Sequence, residues 1–276
     1  MYKDPQTGLM PSFTAAMENL ADASPSRRYE IVHHGGKQRP EDNSFHLRPY
    51  VDVRGIDRAL AVLDAGVMPG DVGIVDMQSD QSLYFNGTGR LFNLTILAKN
   101  ARYPVHSDSG NGLKDWVQVI ENCYIEHLGN DEARAWQAAN GGNPGAVWSS
   151  EHAWGCGNSS GSEVVFINTD LRSPTSPLYW HTNGMFERPS VVRARNCRIV
   201  CTQDPPAGPG RFSSVYVQPL GSFQADQGLL NNNLMEGDVV YDPQPWIAQN
   251  DLAHQCANHA EIRLSGSGNS GVHPFP

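Results

Sequence analysis

Short apolar segments alternate with polar residues along most of this chain, and one phrase returns several times. The phrase is an alternating run, then an asparagine, then a second apolar run, and its copies lie at 91–96, 119–125, 165–169, 192–199 and, more loosely, 229–234. Asn93 and Asn122 lie 29 residues apart, and Asn168 and Asn196 lie 28 apart. Repeats of this period built from short strands and turns are typical of a solenoid, and they predict an all-β fold, a parallel β-helix.

The N-terminal part predicts a cap for this solenoid. Residues 11–21 predict a short amphipathic helix with Ser12 as the N-cap. A β-helix must cover its open end because exposed strand edges promote aggregation. We therefore expect an arm and capping helix over 1–28, the β-helix over 29–265, and a C-terminal tail over 266–276.

Charge and composition exclude several classes of function. The formal net charge is −9, and no Lys/Arg cluster occurs beyond Arg27-Arg28, so we expect no nucleic acid partner. No apolar stretch reaches membrane-spanning length and the N-terminus lacks a signal-peptide pattern, which predicts no membrane insertion and synthesis in the cytoplasm. The five cysteines include no CxxC pair, which argues against a disulfide framework or a zinc site. Cys123 and Cys197 are predicted to be buried thiols.

A second series of strands follows the asparagine phrases. These segments lie at 103–108, 146–151, 178–183 and 214–218. His106 and His181 each follow their asparagine by 13 residues, so we expect them in equivalent places on different coils, roughly 10 Å apart. Polar insertions at 128–144 and 204–211 break this offset and are expected to form surface loops.

This second series supplies the candidate ligand-binding residues. Imidazoles, carboxylates, amides and aromatic rings would share one exposed strip, whose members are His106, Asp108, Ser149, Glu151, His152, Trp180, His181, Asn183 and Gln218. Aromatic faces pack against the apolar side of a sugar ring, and carboxylates and amides bond its hydroxyls. Trp136, inside the first insertion, would touch the ligand or a neighbouring subunit. Alternatively, these side chains end strands and satisfy turns.

Catalysis would need more than this strip. Glycoside hydrolysis requires two carboxylates, and the spacing allows either Asp108 with Glu151 or Glu126 with Asp170. An elimination reaction would need a base such as His181 beside a group that neutralises a carboxylate. We regard Asp108, Glu151 and His181 as the catalytic candidates and do not choose between these mechanisms.

The Glu-His pairs do not predict a metal site. Adjacent residues on a strand point to opposite faces, so neither Glu126-His127 nor Glu151-His152 chelates one ion from a regular strand. We expect no metal and no cofactor.

Several segments resemble known proteins. The lead-in from Phe13 to 50–55 is similar to the capping helix and first coil of the pectate-lyase-like superfamily of right-handed parallel β-helices. The phrases 100–108, 153–157 and 179–183 resemble β-helical proteins of phages, prophages and gene-transfer particles. The Asn168-Thr169-Asp170 string occurs in polygalacturonases, but the other motifs of that family are missing, so no catalytic set is carried over.

The resemblance implies a spike or receptor-binding subunit on the surface of a phage-like particle. It would be a homotrimer that binds host surface polysaccharide, either capsule or O-antigen, and contacts other virion proteins. One alternative is a polysaccharide depolymerase, a hydrolase or lyase, on the same fold. Another is a structural virion scaffold.

Overall fold

The computed structural model describes residues 12–39, 45–64, 66, 81–108, 113–147, 151–158, 161–175, 177–182, 190–202, 213–217, 221–225, 234–236, 238–241 and 261–264. It describes the backbone alone at 81, 82, 108, 146, 156–158, 180–182, 190 and 201, and at every described position beyond 202.

Within these ranges the strands form three parallel sheets, and consecutive strands join sheets 1, 2 and 3 in turn. Sheet 1 contains β1 (Tyr29–His33), β4 (Val51–Gly55), β7 (Gly89–Phe92), β10 (Val117–Glu121), β13 (Glu163–Ile167), β16 (Ser190–Arg195), β19 (Gly221–Ala225) and β22 (Glu261–Leu264). Sheet 2 contains β2 (Gly36–Gln38), β5 (Ala61–Asp64), β8 (Thr95–Ala98), β11 (Tyr124–His127), β14 (Asp170–Ser173), β17 (Arg198–Cys201) and β20 (Leu234–Glu236). Sheet 3 contains β3 (Phe45–Leu47), β6 (Gln81–Phe85), β9 (Tyr103–Asp108), β12 (Trp154–Asn158), β15 (Leu178–Thr182), β18 (Ser213–Val217) and β21 (Asp238–Tyr241).

This strand order defines a parallel β-helix, as the repeats predicted. Each coil contributes one strand to every sheet, and crossovers between parallel strands are almost always right-handed. Residues far apart in number thereby become neighbours about 4.8 Å apart along the axis.

The core consists of stacked inward-facing side chains. In sheet 1 the paired positions Val53, Leu91, Ile120, Phe166 and Ala194 form one such stack, and none is more than 1% exposed. Buried and partly exposed positions alternate along β4 and β13, as expected for strands with one face in the core.

The repeated asparagines form the turn between sheets 1 and 2. Asn93, Asn122, Asn168 and Asn196 have φ angles of 49–54°, a left-handed conformation that asparagine tolerates better than most residues. Asn122 donates a side-chain hydrogen bond to Asn93 at 2.5 Å, and Asn196 donates one to Asn168 at 2.6 Å. The looser copy at 229–234 lies outside the described residues except for Leu234.

The predicted N-terminal helix is confirmed as α1 (Phe13–Glu18). The Ser12 hydroxyl accepts a hydrogen bond from the Ala15 N–H at 3.2 Å, so Ser12 is the N-cap. Phe13 and Met17 are buried, and the Phe13 ring meets the Phe45 ring edge-on at 5.0 Å. The helix therefore packs its apolar side on the first coil.

Two predictions about sheet 3 were wrong. The strand expected at 146–151 lies later, at β12, because the insertion holds a second helix, α2 (Asp131–Ala139), and a 3-10 turn at Pro144–Ala146. His106 aligns with Gly155 and then with Tyr179, whereas His181 aligns with Asp108. The register differs because the chain from sheet 2 to sheet 3 is two residues shorter in the later coil.

Candidate ligand-binding groove

The predicted sugar strip of sheet 3 is not an exposed surface at its best-described positions. His106, Glu151 and His152 are 5%, 2% and 3% exposed. A polymer at the surface does not reach side chains this deeply buried, so the prediction of an open strip is wrong for these three residues.

The histidines instead belong to a continuous ladder of aromatic rings. Successive ring centroids are separated by 4.4–5.8 Å in the order His46, Tyr84, His106, Tyr103, His152 and Tyr179. The His152 and Tyr179 rings are stacked at 4.4 Å with planes 6° apart. Gly155 leaves room for this packing, because a Cβ there would lie 2.8 Å from the Tyr103 ring. The ladder stabilises the coil stack.

Glu151 anchors the inserted helix. Its Oε1 accepts hydrogen bonds from the Arg134 guanidinium at 2.6 Å and from the Asn130 N–H at 3.0 Å, both at the start of α2. Burial raises the pKa of Glu151, and Arg134 opposes that shift. A carboxylate enclosed in this way fits a structural role better than the catalytic role predicted for it.

The remaining members of the strip stay predictions. Trp136 lies on α2 and is partly exposed. Asp108 lies on β9, and Trp180 and His181 lie on β15, but their side chains are outside the described part. Ser149, Asn183 and Gln218 also lie outside the described residues.

The alternative carboxylate pair lies on face 2, which we define as the outward side chains of sheet 2. Glu126 and Asp170 lie diagonally on neighbouring strands. Each is already engaged, because Glu126 accepts the Tyr124 hydroxyl at 2.6 Å and Asp170 pairs with Arg58 at 3.5 Å. Burial and Glu126 raise the pKa of Tyr124 to about 12, so this phenol stays protonated near neutral pH.

The other Glu-His pair behaves as strand geometry predicts. His127 points into the core and is 1% exposed, whereas Glu126 is on the outside. No group of three or more histidine, cysteine, aspartate and glutamate side chains in the described ranges is arranged to hold a metal ion.

A groove lies on face 1, the outward side of sheet 1. Two adjoining depressions of about 230 and 280 Å³ share Asp52, Arg90 and Val119. The first extends to the ends of the strands at Arg54, Phe92 and Glu121, and the second extends to their beginnings at Thr88 and Val117. We define the face-1 groove by Glu30, Asp52, Arg54, Arg90, Phe92, Val119 and Glu121. Its residues lie on β1, β4, β7 and β10.

Strand register brings these residues together. Arg54 lies beside Phe92 and Phe92 beside Glu121, while Arg90 lies beside Val119. The period of two along each strand places Arg90 and Phe92 on the same outward face. Side chains separated by 67 positions in sequence, from Arg54 to Glu121, thus line one depression.

Some charged side chains in the groove form ion pairs, and others have no partner among the described residues. Arg54 donates two hydrogen bonds to the Glu30 carboxylate, at 3.1 and 3.0 Å, and these bonds raise the pKa of Arg54. The Asp52 carboxylate accepts a hydrogen bond from Arg28 at 2.8 Å. The side chains of Arg90 and Glu121 form no hydrogen bond or ion pair with the rest of the described structure. A guanidinium on the same strand as Phe92 and a carboxylate on the adjoining strand therefore lie near Phe92 without a partner among the described residues.

Sequence reasoning missed this groove. Its charged residues alternate with buried ones in β4, β7 and β10, and the same alternation occurs on ordinary solvated strands. In the sequence, the groove is visible only as a charged residue next to each inward-facing position. The strand register is needed to show which of these charged residues become neighbours.

The described helices include none that is long and apolar enough to cross a bilayer.

The groove and coils belong to a protein of the right-handed parallel β-helix class. No family model matches the sequence, and no curated protein matches it. Among solved structures, the pectin methylesterase from Yersinia enterocolitica aligns with 96% of this chain and 92% of its own chain, with 12% sequence identity and a TM-score of 0.47.

Proposed function

We propose that this protein binds polysaccharide through the face-1 groove. The observation that carries the proposal is the placement of Arg90, two positions before Phe92 on β7, and Glu121, beside Phe92 on β10, both without a partner among the described residues. Guanidinium donors and carboxylate acceptors suit sugar hydroxyls, and an aromatic ring suits the apolar side of a pyranose. The groove is open along its length, which suits a polymer more than an enclosed small molecule.

Binding without cleavage agrees best with the carboxylates of the groove. Glycoside hydrolysis uses two carboxylates in different roles. Glu30 and Asp52 are paired with arginines, which leaves Glu121 as the groove carboxylate that has no partner among the described residues.

We further propose that the chain is a spike or receptor-binding subunit of a phage-like particle, with host capsule or O-antigen as its ligand. The resemblance of 100–108, 153–157 and 179–183 to such proteins supports this proposal, as does the suitability of a rigid solenoid for presenting a polymer-binding face. The homotrimer implied by that resemblance predicts a sedimentation mass near three times 30.2 kDa. A mass near 30.2 kDa would count against the trimer.

The first test is titration of the full chain with purified capsule or O-antigen polysaccharide. Arg90→Gln should weaken binding about tenfold or more, because hydrogen bonds to charged groups contribute about 1.5–3 kcal/mol. Arg27→Gln is the matched control, since it removes the same charge from an exposed turn and should leave the affinity unchanged.

Equal affinities of the two variants would contradict the groove assignment. The same samples, run on a gel for polymer length, also address the depolymerase alternative: intact polysaccharide agrees with binding alone, and a ladder of shorter chains would identify an enzyme.

A further inference from the structure

Face 2 carries two arginines that have no acceptor among the described side chains. Arg172 lies on β14 and Arg198 on the adjoining β17, two positions apart in register. Neither guanidinium forms a hydrogen bond or ion pair with another described residue, and the Nε of Arg172 is sealed from solvent without a partner. We call these residues the face-2 arginine pair.

An unpaired, partly buried guanidinium is unusual. Burying a charged donor costs free energy unless an acceptor compensates it, so such groups are normally paired. Arg198 is exposed, whereas Arg172 is only partly exposed and bears part of this cost.

The two described carboxylates beside the pair are engaged elsewhere, and Glu236, diagonal to Arg198 on β20, has its side chain outside the described part. Glu126, the register neighbour of Arg172, accepts the Tyr124 hydroxyl at 2.6 Å. Asp170, the register neighbour of Arg198, pairs with Arg58 at 3.5 Å. Among the described side chains of this patch, three arginines (Arg58, Arg172 and Arg198) face two carboxylates.

Register also sets the spacing of the two guanidiniums. Diagonal neighbours on adjacent strands have their Cα atoms about 7–8 Å apart, within the reach of two long side chains toward a shared group. Guanidinium groups bind carboxylate and phosphate oxygens in a two-pronged geometry, and these bonds are stronger than neutral ones.

We propose that the face-2 arginine pair binds an oxyanion, a sugar carboxylate or a phosphate, at a site separate from the face-1 groove. The ligand oxygens bind the Nη groups, because the Arg172 Nε is enclosed. The Tyr124 ring forms the neighbouring surface. The site requires neither the face-1 groove nor polysaccharide binding there.

The test is titration of the full chain at low salt with galacturonate, inorganic phosphate and the neutral sugar galactose, followed by NMR of the arginine side chains. We expect the anions to shift the signals of Arg172 and Arg198 and galactose to leave them unchanged. Binding of galacturonate alone identifies a sugar carboxylate, and binding of phosphate as well identifies a general oxyanion site.

Arg198→Gln and Arg172→Gln should each weaken anion binding about tenfold or more. Arg198 is exposed, so its variant is expected to fold. Arg27→Gln, with the same loss of charge, should bind as the unmodified protein does. Absence of anion binding, an equal response to galactose, or binding lost in Arg90→Gln but kept in Arg198→Gln would overturn the proposal.

Discussion

The buried residue His127 makes the stability of the fold depend on pH. The Gly129 N–H donates to its Nδ1 at 2.9 Å, so the proton is on Nε2, which donates to the Ala101 carbonyl at 3.0 Å. Burial lowers the pKa of His127 to about 4, and it also lowers the pKa of His33. A charged ring at position 127 would lose the Gly129 bond, so the folded state keeps the imidazole neutral.

This arrangement predicts a loss of stability in acid. The folded pKa is below the unfolded value of about 6.5, so the unfolded chain binds the proton first as the pH falls. The stabilisation is complete above about pH 6.5 and is lost between there and pH 4, a loss of about 3 kcal/mol for His127.

Urea unfolding between pH 7 and pH 4.5 measures this loss. His127→Gln, whatever its stability at pH 7, should show a shallower dependence on pH in that interval. An unchanged slope in the variant would show that His127 does not titrate in this way.

The asparagine turns act at the scale of the element. In each turn the left-handed asparagine follows a strand of sheet 1, and a buried side chain such as Cys123 or Cys197 comes directly before the next strand. Burial raises the pKa of both thiols to about 12, so they serve as small core residues. Turns stacked in this way hold successive coils in register.

Asn122 offers a direct test of this role. Asn122→Ala loses the bond to Asn93 and places a β-carbon in a left-handed conformation, for a combined cost of about 2 kcal/mol. Asn122→Gly loses the same bond but tolerates the conformation, so its cost should be about 1 kcal/mol. Thermal unfolding followed by circular dichroism compares the two. A glycine variant less stable than the alanine variant would contradict the account.

The same elements show what the sequence revealed about the fold. The Asn93 to Asn122 spacing predicted the coils correctly, because stacking forces one turn type to recur. The prediction that His181 aligns with His106 was wrong because the segment from Asn168 to His181 contains a turn whose length differs between coils. The prediction of a strand at 146–151 was wrong because a helix is inserted before it. That helix is held by contacts of its own, such as the Arg134–Glu151 ion pair, and these contacts are not part of the repeat.

The candidate site was harder to predict than the coils. Arg90 and Glu121 become neighbours only through the register of β7 and β10, and their spacing carries no motif. His106 and His152 were predicted to bind the ligand because they are polar and aromatic. In the structure their rings pack against the Tyr103 ring, with centroids 5.1 and 5.8 Å away.

At the scale of the whole molecule, the three faces of the solenoid differ. Face 1 holds an open groove, and sheet 3 carries a packed aromatic ladder. Face 2 holds two paired carboxylates and two arginines that have no acceptor among the described side chains. The outward side chains contribute little to the inward core stacks. One face of the solenoid can therefore carry ligand-binding residues without lowering the stability of the fold.

The most direct test of the account is a crystal structure of the full chain with an oligosaccharide fragment of the polysaccharide it binds. The account predicts a sugar ring against Phe92, with its hydroxyls bonded to Arg90 and Glu121, and the chain lying along the strands of face 1. An oligosaccharide bound instead along β9, β12 and β15, with the face-1 groove empty, would contradict it.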